Sequence, residues 1–302
     1  MTRARNWLRR AGIAVAVLLI LVAIALFAGA QMSEHRRQRL VELPSIQAVA
    51  YRTDAASVAR GQYLFASRGC VDCHGEKGNG RMFVDDGKGL RIAGPHIAPG
   101  PGSVTAAYAP IDWVRAIRHG VNRDGRPLMV MPSEDYNRFT DDDLASLVAY
   151  IRQMPPAEGG PAVVDFPLPV RVAYGFGVMK DAAAKIDHSL PPQMPVPDSD
   201  MLARGAYVAN MCQGCHGAKL QGGKIPGGPP DWPAAPRLTS GEGSVMPNYA
   251  SAEDFGRMFK TGRRADGSAI QVMPFGSLSQ MNDKDVHDLY AYLRSLAGKV
   301  PG

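Results

Sequence analysis

The chain has 302 residues, 45% hydrophobic and 7% aromatic, with four Cys, 33 Gly and 24 Pro. That hydrophobic share excludes wholesale disorder, and so few Cys exclude a disulfide-dense scaffold. The formal charge of +6 owes four of its cations to Arg3, Arg5, Arg9 and Arg10 at the N-terminus, so the remainder is nearly balanced and offers no nucleic-acid surface.

Ala11 to Ala30 is an unbroken apolar stretch of 20 residues. As a helix it rises about 30 Å, enough to cross a hydrocarbon core. It reads as a retained membrane anchor over residues 1–30. The competing reading is a cleaved signal peptide, because Ala28-Gly29-Ala30 fits a small-x-small cleavage site, but typical signal cores are shorter. Arg36, Arg37 and Arg39 follow the span closely, so charge alone orients it only weakly. Residues 31–54 form a juxtamembrane segment, and no second hydrophobic span follows.

The rest of the chain repeats itself. Cys70-Val71-Asp72-Cys73-His74-Gly75 recurs as Cys212-Gln213-Gly214-Cys215-His216-Gly217, and Met131-Pro132 recurs as Met273-Pro274 at the same offset of 142. The segment Arg60-Gly61-Gln62-Tyr63 recurs as Arg204-Gly205-Ala206-Tyr207. Asp141 to Arg152 matches Asp283 to Arg294, and each places apolar residues at i, i+3, i+4 and i+7. Both predict amphipathic helices, with Thr140 and Asn282 at the N-cap and acids in the first turn. Further helices are expected over Ala56 to Ser67, Asp112 to His119, Ser199 to Met211 and Ala252 to Lys260. No stretch sustains strand alternation. Gly75 to Gly102 and Gly217 to Gly243 are rich in Gly and Pro and are expected to be loops. The Pro-rich 157–199 reads as a linker with a short helix near Tyr174 to Ile186. The layout is an all-α chain: the anchor, one domain over 55–156, the linker, and a second domain over 200–302.

All four Cys lie in the two CxxCH strings, each of which has the form of a c-type haem attachment site. Two thiols on one helical turn can each form a thioether to one porphyrin, and the adjacent His is then held against the iron. The sixth ligand must come from the opposite face, and therefore from distant sequence. Candidates in the first copy are Met82, His96, His119, Met129 and Met131. His119 aligns with Thr261 and Met129 with Gln271, whereas Met131 matches Met273. The expected iron ligands are therefore His74 with Met131 and His216 with Met273, a pairing that raises reduction potential. His96 and His119 stay open as alternatives. The plainer readings of CxxC are a redox dithiol or half a zinc site, and a lone Met is ordinarily core filler. His35, His188 and His287 read as solvated surface residues.

With these residues in view, the chain resembles a class I cytochrome c duplicated into a dihaem protein. The strings Asp112 to Met154 and Ala203 to Gly217 are similar to the cytochrome c subunits of membrane-bound alcohol and gluconate dehydrogenases, which usually carry three haems. The resemblance implies tandem cytochrome c domains and two covalently bound haem c. It implies that the carbonyls of Pro95 and Pro236 accept the proximal His Nδ1–H. It also implies that Gly61 and Gly205 lie where the first and last helices cross, with Tyr150 and Tyr292 packed there, although an ordinary loop-edge glycine would look the same. Haem is attached to such proteins outside the cytoplasm, which places the domains in a bacterial periplasm with the N-terminus inside. The implied activity is electron transfer from a dehydrogenase or quinol-oxidising complex to a terminal oxidase or another cytochrome. The rival is a dihaem peroxidase or thiosulfate-oxidising enzyme, which would need one open or displaceable iron position. Trp232 and the loop Gln221 to Pro236 read as a plain surface loop, with a docking edge as the alternative.

Overall fold

A computed structural model of the chain describes residues 2–226, 228, 231–239 and 241–297. Position 1 of the expected anchor, positions 227, 229, 230 and 240 of the Gly/Pro-rich stretch, and residues 298–302 of the expected second domain lie outside the described residues.

Helix α1 spans Thr2–Gln38. Its apolar side chains from Ile13 to Phe27 are exposed, and burial begins at Gly29 and Ser33. There α1 crosses α6 (Leu168–Gly175) at close range: a Cβ on Gly175 would lie 2.0 Å from the Gly29 carbonyl oxygen. Helix α6 begins six residues earlier than Tyr174, the expected start, and ends where Gly177 turns with φ +79°. Its Pro169 sits in the first turn, where a missing N–H costs nothing. The linker is tied to the base of the anchor by Arg39. Its guanidinium donates to both oxygens of the buried Asp181 at 2.6 and 2.8 Å, and Tyr174 Oη donates to the same carboxylate at 2.8 Å.

The first domain is built on α2 (Ala55–Ser67) and α5 (Asp141–Gln153), capped by Asp54 and Thr140 through hydrogen bonds to the N–H of Ser57 and Asp143. The two helices cross at Gly61, where a Cβ would come 1.9 Å from the Ser146 carbonyl oxygen and 2.7 Å from Tyr150 Cβ. Leu64, Phe65, Leu144 and Val148 form the core with Trp113 and Ile117 of α4 (Pro110–His119). The second domain repeats this with α7 (Met201–Ala209) and α11 (Asp283–Ala297). A Cβ on Gly205 would lie 2.0 Å from the Asp288 carbonyl oxygen and 2.6 Å from Tyr292 Cβ. Val208, Leu289 and Leu293 pack there with Phe255 and Met258 of α9 (Ala252–Thr261). Both glycines are thus required by backbone approach, since no larger side chain fits.

The all-α expectation needs correction. The fold is mostly helical, but β1 (Arg81–Asp85) and β2 (Arg91–Gly94) of the first repeat and β3 (Val163–Asp165) of the linker form a three-stranded antiparallel sheet. Gly75 to Gly102 is therefore not all loop. These strands are too short for alternation to register, and the third arrives from the linker about seventy residues later. The sheet backs the first motif: a Cβ on Gly94 would lie 2.2 Å from the Cys73 carbonyl oxygen.

Candidate functional site: two CxxCH centres

Each CxxCH string folds as one short helical turn. α3 (Cys70–His74) follows Gly69, whose φ of +87° starts the turn, and α8 (Gln213–His216) carries the second His. The turn brings each imidazole back to a proline carbonyl. His74 Nδ1 lies 2.9 Å from the Pro95 carbonyl oxygen, and His216 Nδ1 lies 2.8 Å from that of Pro236. A carbonyl can only accept, so each Nδ1 carries the proton and each Nε2 keeps a free lone pair. Burial lowers both imidazole pKa values, which keeps the rings neutral. A neutral His with Nδ1 fixed by a carbonyl is the form that ligates a metal through Nε2.

The sulfur atoms sit in a different chemistry from a redox dithiol. Burial, aided by its neighbour Cys73, pushes the Cys70 thiol up to about 12. Burial pushes Cys73 to about 11 and Cys212 to about 12, and it raises Cys215 as well. Nucleophilic cysteines are found in the opposite environment, with lowered pKa values. Nor do the pairs recruit further donors: among the described residues no three His, Cys, Asp or Glu gather as a metal site. A zinc site would need such a set.

Met131, Cys70 and Val71 each pack against the first core, and Met273 and Cys212 each pack against the second. Each Met-Pro begins the same local turn. Ser133 N–H donates to the Met131 carbonyl and Phe275 N–H to the Met273 carbonyl, both at 2.9 Å. Of the other candidates, Met82 is 39% exposed on β1. His96 is fully buried with both ring nitrogens unpaired, and Trp113 Nε1 in the first core is also unpaired. These orphaned polar atoms fit a group that would bring acceptors into an apolar core, as porphyrin carboxylates would.

His119 is engaged elsewhere, and His188 is not the plain surface residue expected. Their Nδ1 atoms lie 3.1 Å apart, joining α4 to the linker. Burial, then His188 and Arg118, lower His119 to about 4, and burial lowers His188 too. For His119 the folded value lies below the unfolded 6.5, so its contribution is intact above pH 6.5 and fades as pH falls towards 4. Thermal melts across this window should show the fall, and His119→Asn should flatten it.

The least expected feature is how the two centres meet. The chain brings the repeats together about a quasi-two-fold relation. Ser277 Oγ, just after Met273-Pro274, donates to Asp72 Oδ2 of α3 at 2.6 Å. In the mirrored pair, Gly214 N–H of α8 donates to Asp135 Oδ1, just after Met131-Pro132, at 2.8 Å. Tyr63 Oη donates to Asp285 Oδ2 at 2.7 Å, and Tyr207 Oη donates to Asp143 Oδ2 at 2.8 Å. Thus each CxxCH turn rests on the Met-Pro turn of the other repeat. The sequence held the signal, since Tyr63/Tyr207 and Asp143/Asp285 are repeat-matched. First-turn acids, however, have a sufficient local explanation in the helix dipole.

Trp232 is 41% exposed, on the surface loop where it was expected.

Comparison with known proteins agrees with this geometry. The cytochrome c family model matches twice, over residues 58–155 and 202–297. The chain is 28% identical to the fructose dehydrogenase cytochrome subunit of Gluconobacter japonicus, over 81% of this chain and 53% of that protein. It is 26% identical to the gluconate 2-dehydrogenase cytochrome c subunit of Pantoea cypripedii, over 81% and 60% of the respective chains. It is 28% identical to the cytochrome c subunit of the quinone-linked alcohol dehydrogenase of Gluconacetobacter polyoxogenes, over 82% and 58%. The chain spans between half and three-fifths of the length of these relatives. Two matches covering most of the sequence, each containing a fixed histidine and a Met-Pro turn, place the chain in the cytochrome c family.

Proposed function

We propose that the chain is a membrane-anchored electron carrier with two haem c groups in tandem cytochrome c domains. The observation that carries this is the duplicated constellation of paired cysteines, carbonyl-fixed histidine and Met-Pro turn. Cys70 and Cys73 would tether one porphyrin, and Cys212 and Cys215 the other. His74 and His216 would ligate through Nε2, with Met131 and Met273 opposite. When bound, each haem supplies a one-electron ferrous–ferric couple. The protein's own part would be to offer each iron an imidazole and a thioether, with the imidazoles held neutral by burial and a proline carbonyl. The contact between each CxxCH turn and the other repeat supports direct exchange between the two centres.

Likeness to dehydrogenase cytochrome subunits supports a dehydrogenase as donor and, with it, a respiratory acceptor such as a terminal oxidase or another cytochrome. The anchor would hold both domains at the periplasmic face of the cytoplasmic membrane. Retention of the anchor is supported by Gly29. In the Ala28-Gly29-Ala30 string it is the residue α6 crosses, so the small side chains serve helix packing and cleavage after Ala30 would remove α6's partner.

Met131→Ala and Met273→Ala test the ligand assignment. Each should turn one of two low-spin ferric haems high-spin, abolish its sulfur-to-iron band and lower its potential, leaving the other unchanged. Spectra unaffected by Met131→Ala would move the first ligand to His96. A wild-type ferric protein that already holds a high-spin haem and binds peroxide would favour the enzymatic rival.

A further inference from the structure

The foot of the anchor carries an apolar surface that the rest of the fold leaves uncovered. Helix α1 stands clear of the protein through Phe27 and is first covered at Gly29, one residue before its apolar run ends. The element that covers it is α6. A Cβ on Gly29 would lie 2.9 Å from side-chain atoms of both Val172 and Phe176, so Phe176 sits at the height of the last apolar turn of the span. Phe176 is nonetheless 50% exposed, and Val178, in the turn that follows, is 80% exposed. Arg171 and Lys180 are exposed on either side of them.

We propose that α6 and the turn through Val178 lie in the bilayer interface as a second membrane contact beside the span. The inference rests on the retained-anchor reading. If the helix crosses the membrane, its residue 29 stands at the boundary of the hydrocarbon, and side chains at that height face lipid. An aromatic and an aliphatic side chain there fit the region between acyl chains and headgroups, and flanking cations reach lipid phosphates. The occupant is thus the same bilayer, continuous with the surface of α1.

The contact is also tied at two points. The Gly29–Gly175 crossing joins α1 to α6, and the Arg39–Asp181 pair ties the segments that follow the two helices. A single span leaves a tethered body free to turn about it. A span with a second foot fixes the domains' orientation, and so which faces a membrane-bound partner meets.

In the haem-loaded protein the four native Cys are consumed, so an introduced Cys is the free thiol. Val178→Cys, Ala265→Cys and Leu19→Cys are compared in phosphatidylcholine nanodiscs by their rates with a charged, water-soluble maleimide, read by intact mass. Ala265 is exposed in the second domain and serves as the aqueous reference. Val178→Cys should react at least fivefold more slowly than Ala265→Cys, and Leu19→Cys should hardly react. A Val178→Cys rate within fivefold of the reference, with Leu19→Cys still protected, overturns the second contact and leaves the anchor standing. Leu19→Cys reacting like the reference overturns the anchor, and the contact with it.

Discussion

Replacing Cys70 and Cys73 together with serine should leave a chain that carries one haem instead of two and lacks a folded first domain. Intact mass and haem absorbance count the groups, and far-ultraviolet circular dichroism reads the lost helix. The reason lies in size. A domain of about 100 residues buries a modest fraction of its surface and sits near the limit of independent stability. Here the core formed by Leu64, Phe65, Leu144 and Val148 has Cys70, Val71 and Met131 packed at its edge, and buried Trp113 and His96 carry unpaired nitrogens. Each orphaned buried polar group costs about 1–3 kcal/mol unless something bound there satisfies it. A tethered porphyrin would add apolar contact and supply the polar partners. A double-serine chain with its first-domain helicity intact would show that the side chains alone suffice. The second domain should weaken as well, because α8 rests on Asp135 of the first.

Much of this organisation was legible beforehand, for identifiable reasons. The helices carry strong local signals, and Asp141–Gln153 begins at Thr140 as its cap and acidic first turn indicate. The CxxCH turns were legible because covalent chemistry fixes their spacing. What escaped was long-range. The strand Val163–Asp165 is three residues long and finds its partner far back in sequence, so no local pattern marks it. His188 looked solvated because nothing near it in the linker reveals that His119 of α4 comes within hydrogen-bonding distance. The quasi-two-fold contact was hidden differently. Its residues were visible in the repeat, but the helix dipole already accounted for the first-turn acids.

That contact is not equally strong on its two sides, and Asp285→Ala should reveal it with the largest stability loss of any single substitution at the interface. Asp285 is 2% exposed, and Arg68, which donates to it across the domains, is 4% exposed. Burial alone would raise the Asp285 pKa, but Arg68, Tyr63 and Arg60 outweigh it and hold the carboxyl below its ordinary value. Removing the carboxylate leaves Arg68 buried without its counter-charge, which typically costs about 3–5 kcal/mol. The repeat-matched Asp143 accepts from Tyr207 and bidentately from Arg60. Arg60, however, has 35% of its side chain exposed. It can recover water once Asp143 is gone, so Asp143→Ala should cost less, on the order of 1–2 kcal/mol. Denaturant midpoints of the two variants measure the difference directly. Because the Asp285 value is depressed, its contribution is present above about pH 4 and lost as pH falls through the folded value, so acid should separate the domains in wild type. In Asp285→Ala the domains should separate already at neutral pH, giving two unfolding transitions where wild type gives one. Equal losses for the two substitutions would mean that the buried Arg68, present in one repeat and replaced by Asn210 in the other, does not hold the halves together.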